Sequence, residues 1–304
     1  MNLLEPAILT IITAATPLLL AAIGELVAER SGVLNLGVEG MMAMGAACAF
    51  AIAISSDSTV FGILGGVGAG VALAALFAVM TLGFAANQVA CGLALTILGL
   101  GLSGLVGAAF VGARRDAMPK LWIEGLSEIP FVGPILFGQN AFVYASFALV
   151  AGVWWFLFHT RAGLTLRAVG DNHVSAHALG GKVLRVRLWA VLFGGACAGL
   201  AGAYLSLVYT PFWVDGMTAG RGWIALAIVV FSSWLPGRLV IGAYLFGSVS
   251  ILQLYAQGAG IGLPSQLMSS LPYLVTIVVL VVIAGTRARA RAPACLGVPF
   301  VPDR

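Results

Sequence analysis

The fold class predicted by the sequence is an all-α bundle of membrane-spanning helices, about nine in number (eight to ten), and three observations predict it. First, 61% of the 304 residues are hydrophobic and only 9% are charged, where a soluble domain carries roughly 25% charged residues. Second, the apolar runs are continuous and about twenty residues long, whereas the strands of a spanning barrel alternate apolar and polar residues. Third, mean hydropathy is +1.07 over the whole chain, so lipid is its natural solvent and residues 1–304 read as one transmembrane domain. Met1 to Thr10 lacks the positive stretch of a cleaved signal peptide, so the first apolar run is expected to remain as a spanning helix.

Taken in order, the apolar runs cover 7–28, 33–54, 60–84, 88–112, 139–158, 188–209, 222–235, 239–257 and 271–285. Two of them are irregular. The run 33–54 contains Asn35 and Glu39, and 222–235 is short, so these are the candidates for broken or half-crossing helices. Basic residues set the orientation, because cytoplasmic loops retain Lys and Arg. The loop 159–187 holds Arg161, Arg167, Lys182, Arg185 and Arg187, and the tail 286–304 holds Arg287, Arg289, Arg291 and Arg304, so both are expected in the cytoplasm. The four runs between them allow both to lie on one side. Counting backwards puts 113–138 and the N-terminus outside, although Arg114, Arg115 and Lys120 then lie on the unexpected face.

Gly62, Gly66 and Gly70 repeat at four-residue spacing, as do Gly195 and Gly199. That spacing lets helix backbones approach closely in lipid and points to packing rather than chemistry. Val38-Glu39-Gly40-Met41 returns as Val214-Asp215-Gly216-Met217. In the topology above the two copies border helices running in opposite directions, which an inverted repeat predicts, although four matched residues also arise by chance.

Energy-coupling and catalytic motifs are sparse. A phosphate-binding loop needs GxxxxGK followed by Ser or Thr, and neither Lys120 nor Lys182 has that setting. The chain therefore binds no cofactor of its own in this reading, and any ATP is hydrolysed by a partner. His159, His173 and His177 fall in one loop beside Asp171, with no HExxH, GxSxG or DDxxD pattern. His173 and His177 share a helical face, but the loop offers too few further ligands for a metal. Cys48, Cys91, Cys197 and Cys295 form no CxxC pair, and neither a disulfide nor a zinc framework is read from them. Buried ionisable groups remain as pointers to a solute pathway. Glu25 is placed near the cytoplasmic interface. Glu39 and Asn35, spaced i, i+4, are assigned to the pathway with Asn87, Gln88, Asp215 and Arg221, a structural hydrogen-bonded role being the alternative.

The loop beginning at Thr160 is a polar, basic insert between two spanning helices. A short helix is expected at Asn172–Leu179, capped by Asp171 or Asn172 and closed by Gly180-Gly181. A short helix displayed in this way can lie in a groove of a soluble partner and carry its motion into the bundle. Attraction of its arginines to anionic lipid is the blander reading.

Three stretches carry a family resemblance: Glu29-Arg30-Ser31-Gly32-Val33-Leu34-Asn35-Leu36-Gly37-Val38-Glu39-Gly40-Met41, Gly163-Leu164-Thr165-Leu166-Arg167-Ala168-Val169-Gly170, and Gly216-Met217-Thr218-Ala219-Gly220-Arg221-Gly222. Over nearly its whole length the sequence resembles the permease subunits of bacterial ATP-binding-cassette importers of the branched-chain amino acid and ribose permease superfamily. The nucleoside and simple-sugar branch is the nearest. The resemblance implies a multi-pass protein of the bacterial inner membrane, among membrane lipids, with no nucleic acid. It also implies a coupling helix docked on a cytoplasmic ATP-binding subunit and carried by Arg167, Gly170, Asp171, Asn172, His173, Ala176, Leu179 and Gly180. A second permease subunit, either a paralogue or a second copy, and an extracytoplasmic substrate-binding protein complete the expected assembly. Alternating access would be driven by the ATPase, with no covalent chemistry in this chain.

Two positions depart from the family pattern: Gly170-Asp171-Asn172-His173 stands for Gly-Glu-x-Pro, and Phe231-Ser232-Ser233-Trp234 for Phe-Gly-x-Trp. The first should keep an acidic cap; the second puts local packing in question. Nucleosides lead as substrates, followed by simple sugars and branched-chain amino acids. A secondary transporter or channel working without ATP is the rival class, opposed by the scarcity of membrane carboxylates. A membrane-embedded enzyme is the second rival, opposed by the missing acidic and histidine clusters.

Overall fold

A computed structural model describes residues 4–122, 124–258 and 292–301, with scattered positions between 264 and 281. Among these residues seven helices are long and apolar enough to cross a membrane. They are α1 (Leu4–Arg30), α2 (Val38–Ser56), α3 (Thr59–Ala78), α4 (Gln88–Gly107), α6 (Ala141–His159), α9 (Val183–Tyr204) and α11 (Pro236–Gly258). Between them lie α5 (Val132–Phe137), α7 (Arg161–Asp171), α8 (His173–Ala178) and α10 (Arg221–Phe231). The seven long helices account for seven of the nine expected crossings, and α10 is the short eighth. The run at 271–285 lies largely outside the described residues, as do Arg287, Arg289, Arg291 and Arg304.

The bundle has a centre and a rim. Within their most apolar windows α1, α2 and α9 are 67%, 72% and 72% buried, whereas α3, α4, α6 and α11 are only 28–33% buried. Rim helices turn large side chains outward, including Phe61, Leu64, Ile97, Leu105, Trp154, Trp155 and Ile241, as lipid contact requires. Hydrophobicity gives lipid-facing helices no reason to associate, so close packing and hydrogen bonds must hold them. The expected glycine packing supplies it. A methyl group on Gly70 would collide with the Gly195 carbonyl, and one on Gly199 with the Gly66 carbonyl. Helices α3 and α9 therefore touch backbone to backbone.

Helix ends follow local chemistry. Ser58, Asn87, Asn140, Thr160 and Asn172 each accept a backbone amide bond at the start of α3, α4, α6, α7 and α8. Helices α3 and α9 each finish in a wider π turn, Val79–Gly83 and Leu205–Tyr209.

Both irregular runs are broken, and in informative ways. Residues 31–37 are not helical, so α2 starts only at Val38. Asn35 and Glu39 consequently share no helical face, which corrects the i, i+4 pairing expected from their spacing. Helix α10 has 11 residues, about 16 Å at the α-helical rise, and a hydrocarbon core is about 30 Å thick. It cannot cross alone. The chain reaches its start through the non-helical stretch 210–220. At the far end of α2, about 28 Å from its start, Arg115 donates to the Ala53 carbonyl and sits 3.8 Å from Asp57. Arg114 forms a bridge with Phe212 nearby.

Candidate functional site

Buried backbone must be hydrogen-bonded, and more strictly so in a membrane. The link 31–37 meets this demand with side chains from three helices. Gln88 of α4 accepts from the Leu34 amide (2.8 Å), Glu25 of α1 accepts from the Asn35 amide (3.1 Å), and Asn35 accepts from the Gly37 amide (2.9 Å). Thr96 of α4 donates to the Leu36 carbonyl at 2.8 Å, and Arg187 of α9 donates to the Ser31 carbonyl at 3.2 Å. Glu25, Asn35 and Gln88 are each at most 2% exposed. The Gln88 side-chain nitrogen makes no hydrogen bond among the described residues.

Glu39 joins this first break to the second. Its carboxylate accepts from the Thr218 hydroxyl at 2.6 Å, the Gly220 amide at 2.8 Å and the Gly222 amide at 2.6 Å. The last two amides belong to the unsatisfied first turn of α10, where a negative charge is favoured. A side chain on α2 thus caps a helix that lies far along the chain. Arg221 adjoins it, donating to the Met217 and Thr218 carbonyls at 2.9 and 3.2 Å and lying over the Tyr209 ring. The two related tetrapeptides are therefore neighbours, one opening α2 and the other preceding α10. Asn87 is separate from this cluster: it is exposed and caps α4. Asp215 is also exposed, with a carboxylate oxygen 3.5 Å from the Cβ position of Gly104.

The third part of the site is the α7–α8 element. Helix α8 forms where the sequence predicts, and its cap is Asn172, which accepts from the Ser175 amide at 3.0 Å. The expected acidic cap is not used, because Asp171 ends α7 and is exposed. His173 occupies the place of the family proline and is 7% exposed. Burial and the adjacent Arg187 guanidinium hold its imidazole below the ordinary value. Gly170 lies against the Arg30 carbonyl so closely that any side chain would collide with it. Arg167 stacks over Phe158, and Ala176 is half-buried. The opposite surface is open: Leu164, Val174 and Leu179 are 59%, 63% and 90% exposed, and Gly180 is exposed beside them.

Several residues were not singled out from the sequence. Arg187, expected in a basic loop, is 0% exposed and bonds Ser31, His173 and Val298. Arg30 donates twice to the Trp234 carbonyl, at 3.1 and 2.9 Å, and the Trp234 indole donates to Glu29. Trp234 ties the chain just past α10 to the end of α1, so the Phe231–Trp234 departure keeps a hydrogen-bonded junction, with Ser233 and Trp234 both at positive φ, 51° and 56°. Ser232, where the family has Gly, is an ordinary right-handed residue with φ −69°, so no glycine is required there. The available signals were the adjacency of Glu29 and Arg30 at the close of an apolar run and the family tryptophan at Trp234.

The family described as branched-chain amino acid transport system permease component matches residues 7–284. The chain belongs to this family. Among its relatives, a protein of Haloferax volcanii described as a putative glucose ABC transporter permease is 41% identical, over 94% of each chain. The guanosine ABC transporter permease NupQ of Bacillus subtilis is 31% identical over 97% of each. The nucleoside ABC transporter permease NupC of Lactococcus lactis is 30% identical over 100% of this chain and 99% of its own. A solved inward-facing structure, described as a putative metal-chelate type ABC transporter, covers 91% of this chain and 85% of its own at TM-score 0.50 and 20% identity, a likeness of fold. The protein is thus a multi-pass membrane permease subunit of an ABC transporter, as the sequence led us to expect.

Proposed function

We propose that this permease imports a small, neutral, hydroxyl-rich solute, a nucleoside or a simple sugar, by alternating access driven by ATP hydrolysis in a partner subunit docked on α7–α8. One observation carries the coupling part. The α7–α8 element presents Leu164, Val174 and Leu179 outward, while its inner side, through Gly170, lies in van der Waals contact with the backbone at the end of α1. Movement of the exposed side therefore displaces the link 31–37 directly, and reaches α10 through Arg30 and Trp234. Branched-chain amino acids are the less favoured cargo. The names of the relatives support the choice, since glucose, guanosine and other nucleosides share a ring bearing hydroxyl groups.

In this reading Asn35, Glu39, Gln88 and Arg221 surround the broken helices that gate the pathway, with Asn87 and Asp215 at its margins. ATP is held by the partner and not by this chain. A second permease subunit supplies the other wall, and an extracytoplasmic binding protein delivers the solute. The test is uptake by proteoliposomes containing the permease, its second permease subunit and its ATPase partner, with the binding protein added outside and labelled glucose, guanosine or leucine supplied. Saturable, ATP-dependent uptake of glucose or guanosine is expected. Uptake of leucine alone, or uptake with no ATPase present, would overturn the reading.

A further inference from the structure

We infer that the segment 292–301 is a strap that, with Arg187 as its positioning residue, holds the coupling element rigidly on the end of α1, so that motion of the ATPase is transmitted rather than dissipated. The inference rests on the proposed docking of an ATPase at α7–α8 and adds a mechanical part to it. Three chain segments converge on the buried guanidinium that α9 supplies. The Arg187 Nε donates to the Ser31 carbonyl at the end of α1 (3.2 Å), Nη1 donates to the Val298 carbonyl of the strap (3.0 Å), and Nη2 pairs with His173 Nδ1 on α8 (3.1 Å). The planar guanidinium holds three separated nitrogens in fixed positions, one for each partner, whereas lysine carries all its donors on a single atom.

The strap also bonds both sides of the joint through its own backbone. The Cys295 amide donates to the Gly170 carbonyl on α7 at 2.9 Å, and the Gly297 amide donates to the Gly32 carbonyl on the link at 3.2 Å. The Cys295 thiol adds a contact to the Asp171 carbonyl at 3.5 Å. Phe300 closes the strap. It is 8% exposed, packs in one cluster with Val169 of α7 and Val183 of α9, and meets the His173 and His177 rings edge-on with centroids at 5.1 and 5.3 Å.

Helix α7 rests on the bundle by itself, through Gly163 against the Phe156 carbonyl, Leu166 in the main core and Gly170 against the Arg30 carbonyl. Helix α8 is held chiefly by His173 on Arg187 and by Phe300, and without this segment a pull on it would tilt it locally. With it, α7, α8, the end of α1 and the start of α9 share hydrogen bonds and a small apolar core, and they move together. The strap leaves Leu164, Val174 and Leu179 uncovered, so it braces the docking surface without occupying it.

The test is the ratio of solute taken up to ATP hydrolysed, measured on the complete reconstituted transporter. Phe300→Ala is expected to leave the ATPase subunit bound and hydrolysis running while uptake per ATP falls about tenfold, the scale of about 1.4 kcal/mol. Phe300→Tyr, which keeps the ring, should restore the ratio, and Arg187→Lys should resemble Phe300→Ala. Deletion of 292–304 should uncouple further; where the deleted protein fails to assemble, the Phe300 pair decides the matter. An unchanged ratio in Phe300→Ala, or uptake and hydrolysis falling in parallel, would overturn the strap. Failure of the unaltered permease to retain any ATPase would instead overturn the coupling reading beneath it.

Discussion

The two breaks in the bundle are built differently. The link 31–37 is enclosed, and its polar backbone groups are met by Glu25, Gln88, Thr96 and Arg187 from three separate helices. The stretch 210–220 is more open, with Val214 48% exposed and Asp215 and Gly216 exposed beside it. It is held on either side of these residues, by the Pro211 and Phe212 contacts with Arg115 and Arg114, by Trp213, which is 3% exposed and packed in one cluster with Ala46, Phe50 and Leu207, and by Thr218 and Gly220 on Glu39. A segment with many buried partners opens only with the surrounding core, whereas one fixed at few points opens locally at small cost. On the proposed coupling, the first break would be a fixed joint that receives force, and residues 214–216 of the second would be the part free to respond.

The largest way to break this distinction is Gly170→Val. Its side chain would strike the Arg30 carbonyl, and overpacking of this kind costs about 1–3 kcal/mol. Uptake should be lost although membrane insertion is normal; retained uptake would show that the joint carries no force. Next comes Glu39→Ala, which orphans the Gly220 and Gly222 amides and the Thr218 hydroxyl. A buried unsatisfied donor costs about 1–3 kcal/mol, so the melting temperature in detergent should fall, and proteolytic cleavage should rise within 210–220 but not within 31–37. Equal cleavage in both would erase the contrast.

The smallest effect concerns pH. Arg187 and Phe300 contact His173, and burial together with the Arg187 charge holds its imidazole below the ordinary value of 6.5. Its stabilising contribution is therefore complete above 6.5, where the ring is neutral in folded and unfolded chains alike. It declines as pH falls below 6.5 toward the lowered folded value, because the unfolded chain then binds more protons. Thermal melts between about pH 5 and 8 should show this slope, and His173→Gln should flatten it.

Much of the fold was legible because a spanning helix declares itself by length and apolar continuity. Helix α8 was legible from Asn172 at one end and Gly180-Gly181 at the other. The breaks were half legible: Asn35 and Glu39 marked the run as unusual, but nothing local said that 31–37 leaves the helix, since its stabilising partners lie on α1, α4 and α9. Arg185 and Arg187 show the limit most clearly. They are the same residue two positions apart in one basic stretch, yet Arg185 is exposed and Arg187 is wholly buried. Only the fold brings Ser31, His173 and Val298 around the second, and α9 begins at Val183 although the apolar run begins at 188. The strap was illegible in the same way. Ala292-Pro293-Ala294-Cys295-Leu296-Gly297 carries neither a helical nor a strand period, and its order comes from distant contacts.

Where α3 crosses α9 at Gly66, Gly70, Gly195 and Gly199, main chain rests on main chain, and the nearest side chains are the methyls of Ala74 and Ala203, which have no rotamers. Side chains can change rotamer to let two rods slide, and here there are none to change. The crossing is a weld, and an opening of this protein to either face of the membrane must be made around that pair of helices, never between them.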